Sequence, residues 1–144
     1  MEHKDHRARR MVDKMLKKDY FSQWLKLQII AVREGYCQTR MSVRREMLNG
    51  FGILHGGISY ALADSTFAFA SNTYGRLSVA LKVSMSYAKS VRRGEVLYAE
   101  AKQEHLGNRT AIYRIYIRNE KEELVAIFDG TVYRTEKRIL DEEE

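Results

Sequence analysis

From Ile58 to Ala70 the chain reads Ile-Ser-Tyr-Ala-Leu-Ala-Asp-Ser-Thr-Phe-Ala-Phe-Ala, apolar or small on every side of a helix. Such a helix has no solvent face and must be covered nearly all round. Almost every other hydrophobic segment repeats with a period of two instead. Leu25, Leu27, Ile29 and Ala31 alternate, as do Cys37, Thr39, Met41 and Val43 beyond Glu34-Gly35. After the helix, Leu77, Val79, Leu81, Val83, Met85 and Tyr87 alternate. Val96 to Leu106, Ala111 to Ile117 and Leu124 to Tyr133 follow. Gly107-Asn108 reads as a two-residue hairpin and Asn119 to Glu122 as a turn. The only surface able to bury the helix is the antiparallel sheet formed by about six strands. The pattern predicts an α+β hotdog fold, a sheet wrapped around one long central helix that reaches about Tyr74.

An extra helix precedes this domain. Met11, Val12, Met15 and Leu16 fall at helical spacing among Arg and Lys over residues 5–18. Asp19 then opens a short aromatic turn with Tyr20, Phe21 and Trp24. The expected organisation is an N-terminal amphipathic helix over 1–18, a hotdog domain over 19–135 and a charged tail over 136–144.

With 144 residues and no proline, the chain has the size of one domain. Its single cysteine, Cys37, excludes an internal disulfide and suits a reducing compartment. No segment is apolar enough to span a membrane, and no secretory signal follows the charged start, so the cytoplasm is the expected location. Net charge is +6, concentrated in the first eighteen residues and in Lys82 to Arg93. A positive field attracts polyanions, including cofactor phosphates. Interspersed acids and the lack of a binding motif argue against nucleic acid. A membrane-surface role for the basic helix is weaker than packing on the domain or on a neighbouring subunit. No clustered His, Cys or carboxylate set suggests a metal.

Within the apolar helix stands one ionisable residue, Asp64. Burial makes an unpaired carboxylate costly and raises its pKa, a situation tolerated mainly where the group has a partner or a task. His55-Gly56-Gly57 marks the helix start, where first-turn amides lack intrahelical partners and the dipole is positive. Such an end stabilises an oxyanion. Gly56 and Asp64 are eight residues apart, about 12 Å along one helix. One carbonyl cannot touch both, so a reaction using both predicts a homodimer with antiparallel central helices and two composite sites.

The run Asn49-Gly50-Phe51-Gly52-Ile53-Leu54-His55-Gly56-Gly57, followed by Leu62-Ala63-Asp64-Ser65-Thr66-Phe67-Ala68, resembles the PaaI-like (phenylacetic acid degradation) branch of hotdog thioesterases. The likeness continues through Ser78-Val79-Ala80, Arg93-Gly94-Glu95 and Gly107-Asn108-Arg109, covering about residues 20–135. Another branch has Glu in place of Asp64. The resemblance implies hydrolysis of an acyl-coenzyme A thioester, with no cofactor because coenzyme A is part of the substrate, by a homo-oligomer, a dimer or pair of dimers. It implies that Asp64 is nucleophile or general base, that Asn49 orients water or thioester, and that the Gly56 amide polarises the carbonyl with His55 and Gly57 beside it. Ser78 resembles a serine that holds the lytic water. Phe67, or aromatics near Tyr60, would line the acyl pocket, and Lys89, Arg92, Arg93 and Arg109 are candidates for the coenzyme A phosphates. Two other readings remain at this stage. One is a hotdog enoyl-coenzyme A hydratase or dehydratase, which needs a histidine and an acid around the acyl chain. The other is a non-catalytic acyl-coenzyme A-binding protein.

Overall fold

The computed structural model describes residues 2–139. Helix α1 (Glu2–Lys18) leads into α2 (Tyr20–Leu25), strands β1 (Gln28–Arg33) and β2 (Tyr36–Ser42) and a 3-10 turn (Arg45–Met47). The central helix α3 (Gly56–Ser71) precedes β3 (Arg76–Tyr87), β4 (Val96–Leu106), β5 (Thr110–Asn119) and β6 (Leu124–Arg138). All six strands join one antiparallel sheet in the order β1-β2-β4-β5-β6-β3. The sheet curls around α3 in the hotdog arrangement that the period-two strands and apolar helix predict.

The concave face presents Cys37, Met41, Leu97, Ala99, Ala101, Tyr113, Ile115, Ile117 and Phe128, all buried, to Leu62, Ala63, Phe67, Phe69 and Ala70 of α3. One hydrogen-bonded link crosses this apolar layer. Thr66 Oγ1 donates to the Leu62 carbonyl at 2.8 Å, which leaves Thr39 Oγ1 to donate to Thr66 Oγ1, also at 2.8 Å. Both buried hydroxyls are thereby satisfied. Among the described residues no helix is long and apolar enough to cross a membrane.

The two sheet edges differ. Edge strand β1 is covered by α1, whose Ala8, Met11 and Val12 are fully buried. Edge strand β3 pairs only with β6, and leaves Val79 45% and Leu81 60% exposed. An open edge carrying apolar side chains invites pairing with another strand.

Several boundaries depart from the pattern. The aromatic turn is helix α2, because Asp19 caps it by accepting Ser22 N–H at 3.0 Å. The central helix stops at Ser71, where Asn72 donates from its side chain to the Ala68 carbonyl at 2.8 Å. The β4–β5 loop holds three residues, Gly107 to Arg109, rather than two. Residues 136–138, expected in the charged tail, belong to β6, where Arg138 pairs with Arg76. The last five residues of that tail lie outside the described residues.

Phe67 is core rather than pocket lining. It is 1% exposed, and its ring contacts Tyr113 and Phe128 at centroid distances of 6.0 and 5.3 Å. Beneath it lies Gly130, where an added Cβ would come within 2.6 Å of Phe67 Cζ. Gly130→Ala is therefore expected to destabilise the fold by about 1–3 kcal/mol, read from urea unfolding. An unchanged midpoint would show that the ring moves aside freely.

Candidate active site

Not every side of α3 is covered. Gly57, Tyr60, Ala61, Asp64 and Ala68 recur at helical spacing, and all five are exposed or only partly buried. The expectation of burial nearly all round fails along this one stripe, and Asp64 lies within it. Its carboxylate is half-buried, and among the described residues no side chain hydrogen-bonds or ion-pairs with it. Burial pushes its pKa above the ordinary aspartate value of 3.8, and the negative charge of Asp19 pushes in the same direction. Among the described residues no cation opposes these effects. Tyr60, one turn earlier, is also raised, first by burial and then by the Asp64 and Tyr87 charges.

At the start of α3, His55 is the N-cap, in extended backbone conformation, and its Nδ1 accepts Gly57 N–H at 2.8 Å. The ring proton therefore sits on Nε2. The Gly57 amide, expected to face substrate, is thus already engaged. The Gly56 amide is not: it donates to no group among the described residues. Its backbone is held from the other side by Tyr87, whose hydroxyl donates to the Gly56 carbonyl at 2.8 Å. A Cβ on Gly56 would meet the Tyr87 ring at 3.2 Å, so a glycine lets this tyrosine lie close. Sequence reasoning missed Tyr87 in this role, since period-two alternation marks it only as the last residue of a strand.

Asn49 organises the loop before the helix. Its Oδ1 accepts Phe51 N–H at 2.9 Å and Ile53 N–H at 3.4 Å, which leaves the side-chain NH2 as its free donor. Asn49 and Gly56 share one cleft of about 350 Å³ with Ile53, Leu54, Ser59 and Tyr87. The cleft thus offers two unengaged N–H donors at the positive end of a helix, an arrangement suited to a developing oxyanion.

Lys89 and Ser90 also line this cleft and continue into a larger one of about 620 Å³, lined by Arg92, Lys121 and the acids Glu95, Glu120 and Glu123. Lys89 pairs with Glu123 at 2.6 Å, and Glu95 accepts Arg92 N–H at 2.6 Å. Arg93 is exposed in the adjoining turn. The structure brings Asn49, His55, Gly56, Gly57, Lys89, Arg92 and Arg93 to one end of the molecule. Ser78 and Arg109 lie at the other. Ser78 is buried near the C-terminus of α3, its N–H held by Asn72 Oδ1 at 2.8 Å and its hydroxyl directed at the Arg76 carbonyl. Arg109 sits in the β4–β5 loop, with its carbonyl bonded to Arg134 N–H. Nothing within one chain carries either residue to the cleft. Among the described residues no three His, Cys, Asp or Glu side chains gather as a metal site.

A model of the thioesterase superfamily matches residues 51–126, the stretch from the Asn49 loop through α3 and into β6. The chain belongs to the thioesterase superfamily. This thioesterase is 43% identical to a putative esterase of Archaeoglobus fulgidus over 131 residues, 91% of this chain and 85% of the relative. It is 34% identical to the acyl-coenzyme A thioesterase PaaI of Escherichia coli over 129 residues, 90% of this chain and 92% of that protein. The solved structure of E. coli PaaI superposes with a TM-score of 0.92 at 33% identity, covering 94% of this chain and 99% of PaaI. A hypothetical thioesterase from Streptococcus pneumoniae, solved with coenzyme A, gives a TM-score of 0.75 at 26% identity, covering 78% of this chain and 90% of that one. The chain is a PaaI-like thioester hydrolase.

The isolated carboxylate has a consequence for stability. A raised aspartate pKa means that the folded state is favoured by protonation. That contribution is complete below 3.8 and is lost as pH rises through the raised pKa. Asp64→Asn is therefore expected to melt at a higher temperature than the wild type at neutral pH, with the gap closing as pH falls towards 3.8. A lower melting temperature for the variant would show that the carboxylate has a stabilising partner.

Proposed function

We propose that this protein hydrolyses acyl-coenzyme A thioesters, with Asp64 of one subunit and the Gly56 amide of a second copy acting on the same carbonyl. The single observation carrying this reading is that the unpaired carboxylate and the unengaged amide lie on one helix, on surfaces the chain itself leaves open. In this reading the Gly56 N–H, aided by the helix dipole and the Asn49 NH2, holds the thioester oxygen as negative charge develops there. Asp64 either attacks the carbonyl carbon or removes a proton from the water that does. The tetrahedral intermediate then expels the coenzyme A thiolate, which takes up a proton. Where water attacked, the free acid is left directly; where Asp64 attacked, a mixed anhydride is left that water hydrolyses to the free acid and the Asp64 carboxylate.

Gly56 and Asp64 remain about 12 Å apart within one chain. A two-fold pairing that runs two α3 helices antiparallel sets each Asp64 stripe against the partner's helix start. The open edge of β3, with Val79 and Leu81 exposed, offers the surface for that pairing. The same symmetry would return Ser78 and Arg109 to the neighbourhood of the partner's cleft, which the single chain does not do.

Coenzyme A as the thiol is supported by the name of the E. coli relative and by the coenzyme A held in the streptococcal structure. Lys89, Arg92 and Arg93 stand at the mouth of the cleft as phosphate partners, with Glu123 the group that Lys89 would have to leave. Aryl-acetyl and medium-chain acyl groups both suit the reading. The hydratase alternative is weakened by His55, whose Nδ1 is occupied in capping the helix.

Two variants test the mechanism by thiol release on a panel of aryl-acetyl- and medium-chain acyl-coenzyme A. Asp64→Asn is expected to lower kcat by about 10²–10⁴-fold with the fold intact. Gly56→Pro removes the amide proton at a helix position where proline is favoured, and the His55 ψ of 131° suits a following proline. Its Cβ would meet the Tyr87 ring at 3.2 Å, so Gly56→Ala, which adds the same Cβ and keeps the N–H, is the control. Gly56→Pro is expected to lower kcat by about 10²–10³-fold. Mixing the two inactive variants should restore part of the activity, because one site of each mixed dimer then has both groups intact. Absence of recovery in proven mixed dimers would rule out the shared site, and near-normal turnover by Asp64→Asn would remove that residue from the chemistry.

A further inference from the structure

Asp19, which the mechanism above does not use, is connected to the Asp64 turn by a chain of hydrogen bonds. Its carboxylate accepts Ser22 N–H at 3.0 Å and the Ser22 hydroxyl at 2.5 Å. Since the Ser22 hydroxyl proton is directed at Asp19, its oxygen can only accept in the 2.8 Å contact with Ser65 Oγ. The donors therefore run in one direction, from Ser65 to Ser22 to Asp19. Ser22 is fully buried and Ser65 nearly so, and Ser65 follows Asp64 directly on α3.

An ordinary helix cap ends at the backbone amide. Here the cap continues through two buried hydroxyls into a second helix. Helix α2 has six residues, too few to hold its own shape, so its position depends on such tethers. The Arg44 guanidinium secures its far end through the Trp24 carbonyl at 2.8 Å and the Leu25 carbonyl at 3.2 Å. The Asp19 chain secures its near end against the reactive carboxylate.

We infer that Asp19 is a positioning residue for the thioesterase reaction: through Ser22 and Ser65 it fixes α2, and its own negative charge, against the Asp64 turn of α3. The inference rests on Asp64 being the reacting carboxylate. The ionisable groups that act on Asp64 or face it are few. Asp19 approaches from the α1–α2 junction, and Tyr60 from α3 itself, with Tyr87 of β3 beyond it. No basic side chain among the described residues offsets the Asp19 charge at Asp64. Two carboxylates placed together without a cation leave the more desolvated one a stronger base when ionised.

The charge and the tether can be separated. Asp19→Asn keeps one oxygen for the Ser22 N–H and removes the charge, with its NH2 donating to the Ser22 hydroxyl where Asp19 accepts from it, so the chain runs in the opposite direction; Ser22→Ala cuts the tether and keeps the charge. The experiment records kcat and kcat/KM against pH for the intact homo-oligomer, using the thioester turned over fastest in the panel, with thermal melts as a check on folding. Asp19→Asn is expected to move the acid limb of kcat/KM to lower pH, because Asp64 then loses its proton more readily, and Asp19→Glu to return it towards the wild-type position. Ser22→Ala is expected to lower kcat about 10-fold or more, as for any displacement of a reacting group, with the acid limb closer to wild type than in Asp19→Asn. A merely structural cap would lower melting temperature and leave the limb in place. An acid limb that does not move in Asp19→Asn, or a Ser22→Ala enzyme with unchanged kcat, overturns the inference. If Asp64→Asn itself is active, the reading of Asp64 fails first, and that result is distinct from either of these.

Discussion

A helix without a polar face has to be wrapped, and the wrapping of α3 by the sheet dictates almost everything else in this molecule. The fit is close enough that Gly130 lies under Phe67 with no room for a methyl group. Between the helix and the sheet, Thr39 and Thr66 satisfy each other across the apolar layer. A sheet of six strands cannot close completely around a helix that stands at its own centre. One stripe remains open, and it contains Gly57, Tyr60, Asp64 and the Gly56 end. The opening left by incomplete wrapping is where Asp64 and the Gly56 amide are found.

The same geometry limits what one chain can do. The positive end of a helix and a carboxylate two turns further along it cannot converge on one atom. The shared site proposed above would turn that separation to use, with a two-fold axis pairing each carboxylate with a different helix start. Within one chain the separation leaves the Asp64 carboxylate unpaired and the Gly56 amide unengaged among the described residues.

The architecture was legible because its signals repeat. Strand alternation in Leu77 to Tyr87 or Ala111 to Ile117 and the all-round apolar run of α3 specify layers without reference to any single contact. Asp64 and the His55-Gly56-Gly57 entry were also visible, one as the sole charge in an apolar helix and the other as a glycine pair behind a capping side chain. What the sequence left hidden depends on pairs far apart in the chain. That Phe67 faces Gly130 rather than a pocket is decided by the β6 register. That Tyr87 rests on Gly56 requires the end of β3 to turn back over the helix start. Ser78 and Arg109 resemble family positions in sequence, yet a single chain places them at the opposite end from the cleft. Asp19 did carry a local sign, an acid three residues before Ser22 at a helix start, but only the packing of α2 on α3 extends that cap to Ser65.

His55 shows how little of the local chemistry is left unassigned once hydrogen bonds are traced. Its Nδ1 holds Gly57 N–H, so Gly57 is removed from the set of donors and Gly56 becomes the amide that remains. With its proton on Nε2, the imidazole cannot take a proton from a substrate carbon without releasing the cap. Dehydration and hydration chemistry would require that release in every turnover, at the cost of the helix end that stabilises negative charge. Thioester hydrolysis requires nothing of His55 beyond what it already does. The capping bond therefore favours acyl transfer over hydration through the geometry it imposes on the neighbouring glycines.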